Sequence, residues 1–204
     1  MGTLKVGERR LPVLALDWIA GRSLGPSVID RLWAALRGRH RRPLPVRQAV
    51  RILDQILEAT EALSTNLDLR PANILIERET GSAKVIDPTV PSQWPPPAID
   101  AWPIKRILKR SAYHPPETTD PGKAGEVGAV AIYAAGSILY ELLTGRKAGA
   151  RPEQYRADEL PAEVRGGWSL RSIVQTARAR DPARRFATPR AMRDALKAFL
   201  GDGS

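Results

Sequence analysis

The chain has no cysteine among its 204 residues. That excludes a disulfide framework and any thiolate metal site, and it fits a reducing compartment. It also lacks a long uncharged run. The longest, residues 127–140, is shorter than the roughly 20 residues a bilayer span needs and runs straight into Glu141. A buried core helix is the reading we carry forward, with no membrane span. No charged-plus-apolar leader is visible at the start, so the expected location is cytoplasmic. Neither a dinucleotide-binding nor a P-loop glycine signature occurs, and no internal repeat is visible.

What is present bounds the answer further. The length suits one domain with a sizeable core, and a hydrophobic fraction of 43% is ordinary for a globular protein. The net charge is +10. An acidic partner and a compositional bias with solvated faces both account for it, and the scatter of basic residues favours the second. The one dense cluster is Arg37-Gly38-Arg39-His40-Arg41-Arg42. It lacks interleaved aromatics, which disfavours nucleic acid as a partner.

Residues 11–19 read as a buried strand, and Gly21-Arg22-Ser23-Leu24-Gly25 as a turn. Pro26 suits the first turn of a helix carrying Val28, Ile29, Leu32, Trp33 and Leu36. Apolar spacing predicts an amphipathic helix over 46–63. Two short strands, 73–77 and 83–87, flank a Thr80-Gly81 turn. Trp94-Pro95-Pro96-Pro97 lies in a segment, 91–103, that cannot be regular helix. Residues 127–144 are apolar nearly all round and predict a central buried helix stopped by Gly145. Weaker helices are expected over 152–160 and 169–180. The last has Thr188 as N-cap and Pro189 at its first position, and ends at Gly201. The fold class is mainly α: a helical bundle around a central helix with a small β-hairpin. The expected division is an extension over 1–10, one lobe over 11–200 and a tail over 201–204.

The most informative stretch is Asp68-Leu69-Arg70-Pro71-Ala72-Asn73-Ile74-Leu75, followed by Val85-Ile86-Asp87. One short loop carries a proton acceptor, a cation and an amide, and a second carboxylate closes the hairpin beside it. That is the polar layout of phosphoryl transfer, with one carboxylate near the attacking hydroxyl and an Asn plus a carboxylate around Mg²⁺. Taken singly, Asp68 and Asn73 read more readily as turn or capping residues and Asp87 as the end of a strand; taken together at this spacing they favour descent from a phosphate-handling site.

The order of these elements resembles the large lobe of protein kinases, closest to the bacterial members of the eukaryotic-like Ser/Thr type. The resemblance covers residues 11–200. Residues 16–21 resemble the hinge that presents backbone groups to adenine, and 66–75 resemble the catalytic loop. Asp87-Pro88-Thr89 stands at the Asp-Phe-Gly position, and Tyr113-His114-Pro115-Pro116-Glu117 resembles the segment ending in Ala-Pro-Glu. Residues 132–145 resemble the central helix. Asp181-Pro182-Ala183-Arg184-Arg185-Phe186 resembles the late Asp-Pro-x-x-Arg motif.

The resemblance implies roles. Asp68 would take or orient the acceptor hydroxyl proton, and Arg70 would clamp the γ-phosphate. Asn73 and Asp87 would bind Mg²⁺. Asp17 and Ile19 would face the adenine of ATP and Leu75 would floor its pocket. Glu117 and Arg185 would form an architectural ion pair. The chain also departs from the family pattern. Asn66 and Leu67 replace the usual His and Arg, Pro88 and Thr89 the usual Phe and Gly, and Ala131 a bracing Asp of the central helix. The small lobe, with its Gly-rich loop, Lys and Glu, is not found ahead of the hinge-like segment. The expectation is therefore a degenerate, pseudokinase-like lobe acting as a non-catalytic protein-binding or regulatory module. Leu14, Leu16, Trp18 and Leu75 would lie at the uncovered cleft, inviting a protein partner: a small lobe from another chain, or a second copy. The alternatives are the large lobe of a split Ser/Thr kinase, which would bind ATP and Mg²⁺ once completed, and a basic or Pro-rich adaptor.

Overall fold

The computed structural model describes residues 2–6, 9–13, 18–25, 42–62, 69–86, 112–119, 127–149 and 154–201. The helix expected from Pro26, most of the basic cluster and the Trp94–Pro97 stretch lie outside them.

Two strands, β1 (Gly2–Val6) and β2 (Arg9–Val13), form an antiparallel hairpin. The strand expected over 11–19 therefore begins earlier, at Arg9, and is paired with a strand inside the segment read as an extension. The run Gly21-Arg22-Ser23, read as a turn, is a strand (β3, Gly21–Ser23) because its backbone pairs with β4 (Ile74–Glu77). β4 in turn pairs with β5 (Ala83–Val85), giving the order β3-β4-β5, all antiparallel.

Helix α1 (Val46–Ala62) follows its apolar spacing. Ala49, Leu53, Ile56 and Leu57 form one fully buried stripe. Helix α2 (Val127–Thr144) is the centre of the lobe. Residues 131–142 are all buried, because α1, α3 (Leu170–Ala177) and α4 (Pro189–Leu200) pack around them. Small residues let these helices approach closely. A Cβ on Gly136 would come within 2.7 Å of Ala177 Cβ.

Helix ends follow their capping chemistry. Ser169 caps α3 in a reciprocal box with Ser172. Thr188 Oγ1 accepts from Ala191 N at 3.1 Å to start α4. The helix expected over 152–160 reduces, among the described residues, to 3-10 conformation at Gln154 and a 3-10 turn at Ala157–Glu159. A small hairpin that the apolar spacing does not announce, β6 (Val164–Arg165) and β7 (Trp168–Ser169), precedes α3. Gly166 and Gly167 make its turn with φ of 55° and 78°, which only glycine adopts at little cost.

Candidate functional site

Residues 70–73 form one tight turn between the sheet and α1. Pro71–Asn73 is a 3-10 turn closed by Asn73 N donating to Arg70 O at 2.9 Å. Pro71 suits this start, because its missing N–H would lie unused there. The turn is gripped from both sides. On one side, Leu24 N donates to Ile74 O at 2.7 Å, and the Ser23 hydroxyl lies 3.3 Å from both Pro71 O and Ala72 O. Gly25 N donates back to Ser23 Oγ at 3.0 Å. A Cβ on Gly25 would come within 2.8 Å of Ala72 Cα, so the two backbones meet only because Gly25 has no side chain. On the other side, Ile86 N donates to Asn73 O at 2.9 Å; β5 is itself tied to α1, where Ala83 N donates to Gln55 Oε1 at 2.7 Å.

Of the residues singled out in the sequence, Arg70, Asn73 and Leu75 lie together on this turn and the strand after it. All three are half-buried. Ile19 is half-buried ahead of β3, and Trp18 beside it is 91% exposed. Asp17, Asp68 and Asp87 lie outside the described residues, as do Asn66, Leu67, Pro88 and Thr89. Among the described residues, no three carboxylate, His or Cys side chains converge as a metal site. Asn73 offers an amide group whose oxygen suits Mg²⁺ in kind, but one neutral oxygen does not make a site. Ala131, buried on α2, presents only a methyl group.

The second cluster lies across α2, at the segment 112–119. Arg185 and Glu117 meet as a two-pronged pair, Nη1 to Oε1 at 2.6 Å and Nη2 to Oε2 at 2.9 Å, both side chains almost wholly buried. Arg185 also donates to Ala179 O (2.9 Å) and Ala129 O (3.0 Å). Tyr113 donates to the buried Glu141 on α2.

Sequence reasoning missed Arg178. It is 1% exposed and donates to Ala112 O at 3.1 Å, to Gly149 O at 3.0 Å and to the Ser137 hydroxyl. Its guanidinium lies 4.8 Å from the Tyr133 ring centre and 5.3 Å from that of Tyr155. Arg185 lies 5.0 Å from the same Tyr133 ring. Burial pulls the Arg178 pKa below its ordinary value, and the surrounding tyrosines pull it back up. Burial likewise raises Tyr155. The signal was present in the sequence: Arg178 continues the buried stripe of Leu170, Ile173, Val174 and Ala177, where a charged side chain must find partners.

No family model matches the chain. Among curated proteins it is 30% identical over 177 residues to the serine/threonine-protein kinase PrkC of Bacillus subtilis, covering 78% of this chain and 26% of PrkC. It is 29% identical to the serine/threonine-protein kinase Pkn1 of Myxococcus xanthus, covering 78% of this chain and 25% of Pkn1. The chain thus spans about a quarter of the length of these relatives. Among solved structures, the PknI kinase domain of Mycobacterium tuberculosis superposes with a TM-score of 0.59 at 20% identity, over 89% of this chain and 63% of that one. Rad53 in complex with AMP-PNP superposes with a TM-score of 0.56 at 19% identity, over 88% of this chain and 44% of that one. The chain has a protein-kinase-like fold, with the mainly helical architecture of the large lobe, and is similar in sequence to bacterial serine/threonine-protein kinases.

Proposed function

We propose that this kinase-like lobe acts as a non-catalytic, pseudokinase-type module that binds or regulates another protein. The carrying observation is Ala131, buried at 4% exposure on the central helix. Phosphoryl transfer rests almost wholly on positioned charge. A methyl group at 131 cannot brace a catalytic loop, and backbone contacts and the Ser23 hydroxyl help hold the turn at 70–73. The replacements Asn66, Leu67, Pro88 and Thr89 weaken the same machinery. The exposed Trp18 beside β3 would form, with Leu14, Leu16 and Leu75, the apolar cleft edge that a partner covers. In this reading Glu117 and Arg185 are architectural, and Asp68, Arg70, Asn73 and Asp87 are vestiges.

One observation favours a second reading. Asp68, Asn73 and Asp87 all survive in the sequence, which suits the large lobe of a split Ser/Thr kinase. There Asp17, Ile19 and Leu75 would meet adenine, and Asn73 and Asp87 would hold Mg²⁺ with ATP. Calorimetry of ATP binding with and without Mg²⁺, with Asp87→Ala as control, separates the two. The first reading expects no Mg²⁺-dependent binding at millimolar nucleotide. Binding that needs Mg²⁺ and vanishes in Asp87→Ala would overturn it in favour of the second. The adaptor reading has weaker support. It would require partner binding that weakens steeply with salt through the Arg37–Arg42 cluster, or docking through the Trp94–Pro97 stretch.

A further inference from the structure

Arg178 and Ser137 do something that neither the turn at 70–73 nor the Arg185–Glu117 pair accounts for. Arg178 follows directly on α3, yet it reaches two backbone carbonyls far away in sequence. Nη1 donates to Ala112 O and Nη2 to Gly149 O, 66 and 29 positions away. Ser137, wholly buried on α2, sits beneath the fork. Its hydroxyl accepts from Arg178 and lies 2.8 Å from the same Ala112 O, and 3.1 Å from Tyr133 O one turn back. Tyr133 and Tyr155 flank the guanidinium. The carbonyl of Ala112 is therefore gripped by two buried side chains just before Tyr113 anchors on Glu141 and Glu117 on Arg185.

A guanidinium taken out of water is costly unless its donors are satisfied. Leucine or methionine would fill a helix stripe without that cost. What Arg178 adds is geometry: a rigid fork can hold two carbonyls at once, which an ammonium on a flexible stem does less well. We infer that Arg178, seated on Ser137, is a positioning clamp that presets the docked conformation of segment 112–119 and locks it to the loop at 149. Every grip uses unmodified groups of this chain, so the docked segment needs no added phosphate at these contacts. The clamp is independent of whether nucleotide binds at the turn.

The test is amide hydrogen exchange on the full chain, comparing Arg178→Met and Ser137→Ala with a variant from a different interface, Arg193→Ala between α1 and α4. Exchange in 112–119 should accelerate about tenfold or more in Arg178→Met, and by a smaller factor in Ser137→Ala, while amides in α4 keep their protection. Arg193→Ala should not release 112–119 selectively. A role in bulk packing alone would instead loosen α2, α3 and the segment together, and that result, or unchanged exchange, would overturn the clamp. If Arg178→Met does not fold, Arg178→Lys decides. An ammonium on a flexible stem holds two carbonyls less well than the rigid fork, so faster exchange at 112–119 or around 149 supports the clamp, and no acceleration at either refutes it.

Discussion

Arginine in this lobe works by fork geometry more than by charge. Arg185 satisfies both oxygens of Glu117 and two backbone carbonyls, so its buried charge is compensated in several directions. Removing the carboxylate leaves a buried guanidinium short of partners, which typically costs about 3–5 kcal/mol when one member of a buried pair is deleted. Glu117→Ala should therefore lose stability of that order in urea unfolding. Glu117→Gln should lose less, because its amide oxygen still accepts one hydrogen bond. A loss below about 1 kcal/mol in Glu117→Ala, the range of surface pairs, would mean that the backbone carbonyls alone satisfy Arg185. The pairing of residues 68 positions apart was suggested by resemblance to a known family, and no local pattern around either residue points to it. Arg178 was missed, although a charge on an apolar stripe was there to be noticed, and its partners are backbone carbonyls, which carry no sequence signal.

Helices were legible where the sequence supplied a clear apolar pattern and a stop. α2 runs from Val127 to Thr144, the span that its nearly all-round apolar character predicts, and α4 starts at Thr188-Pro189 and ends at Gly201. The cap of α4 is testable by itself. Thr188→Ala removes the acceptor for Ala191 N and should cost about 1 kcal/mol, with Thr188→Ser nearly neutral, by thermal or urea unfolding. Equal loss in both variants would point to the threonine methyl rather than the cap. Strands were less legible, because pairing decides them. Gly21-Arg22-Ser23 is exposed throughout and has no strand-like side-chain pattern; it becomes β3 only because β4 offers an edge. The reverse holds for 152–160, where a weak helical pattern gives way to a short turn. There Tyr140 Oη donates to Glu159 at 2.7 Å and Arg156 N reaches the same hydroxyl, so contacts with α2 override local preference.

At the scale of the whole lobe, closure depends on α1 and α4 meeting across a charged seam. Arg193 on α4 reaches Asp54 at 2.8 Å, Glu58 at 3.3 Å and Glu61 at 3.4 Å on α1, and Asp54 holds its guanidinium above the ordinary value. The seam sits in a chain of net charge +10, so short attractions oppose a longer-range repulsion. Distance decides how salt acts on each. At physiological ionic strength the screening length is about 8 Å. The Arg193 contacts lie well inside it and are screened weakly, whereas repulsion between scattered surface arginines acts over greater distances and is screened first. Sodium chloride raised from low to physiological concentration should therefore increase the thermal midpoint of the chain. Arg193→Ala should lower that midpoint at every salt concentration while keeping the upward trend, because it removes one attraction and leaves the general repulsion in place. A midpoint that falls as salt rises would mean that attractive seams such as this one, rather than overall repulsion, set the electrostatic balance of the lobe.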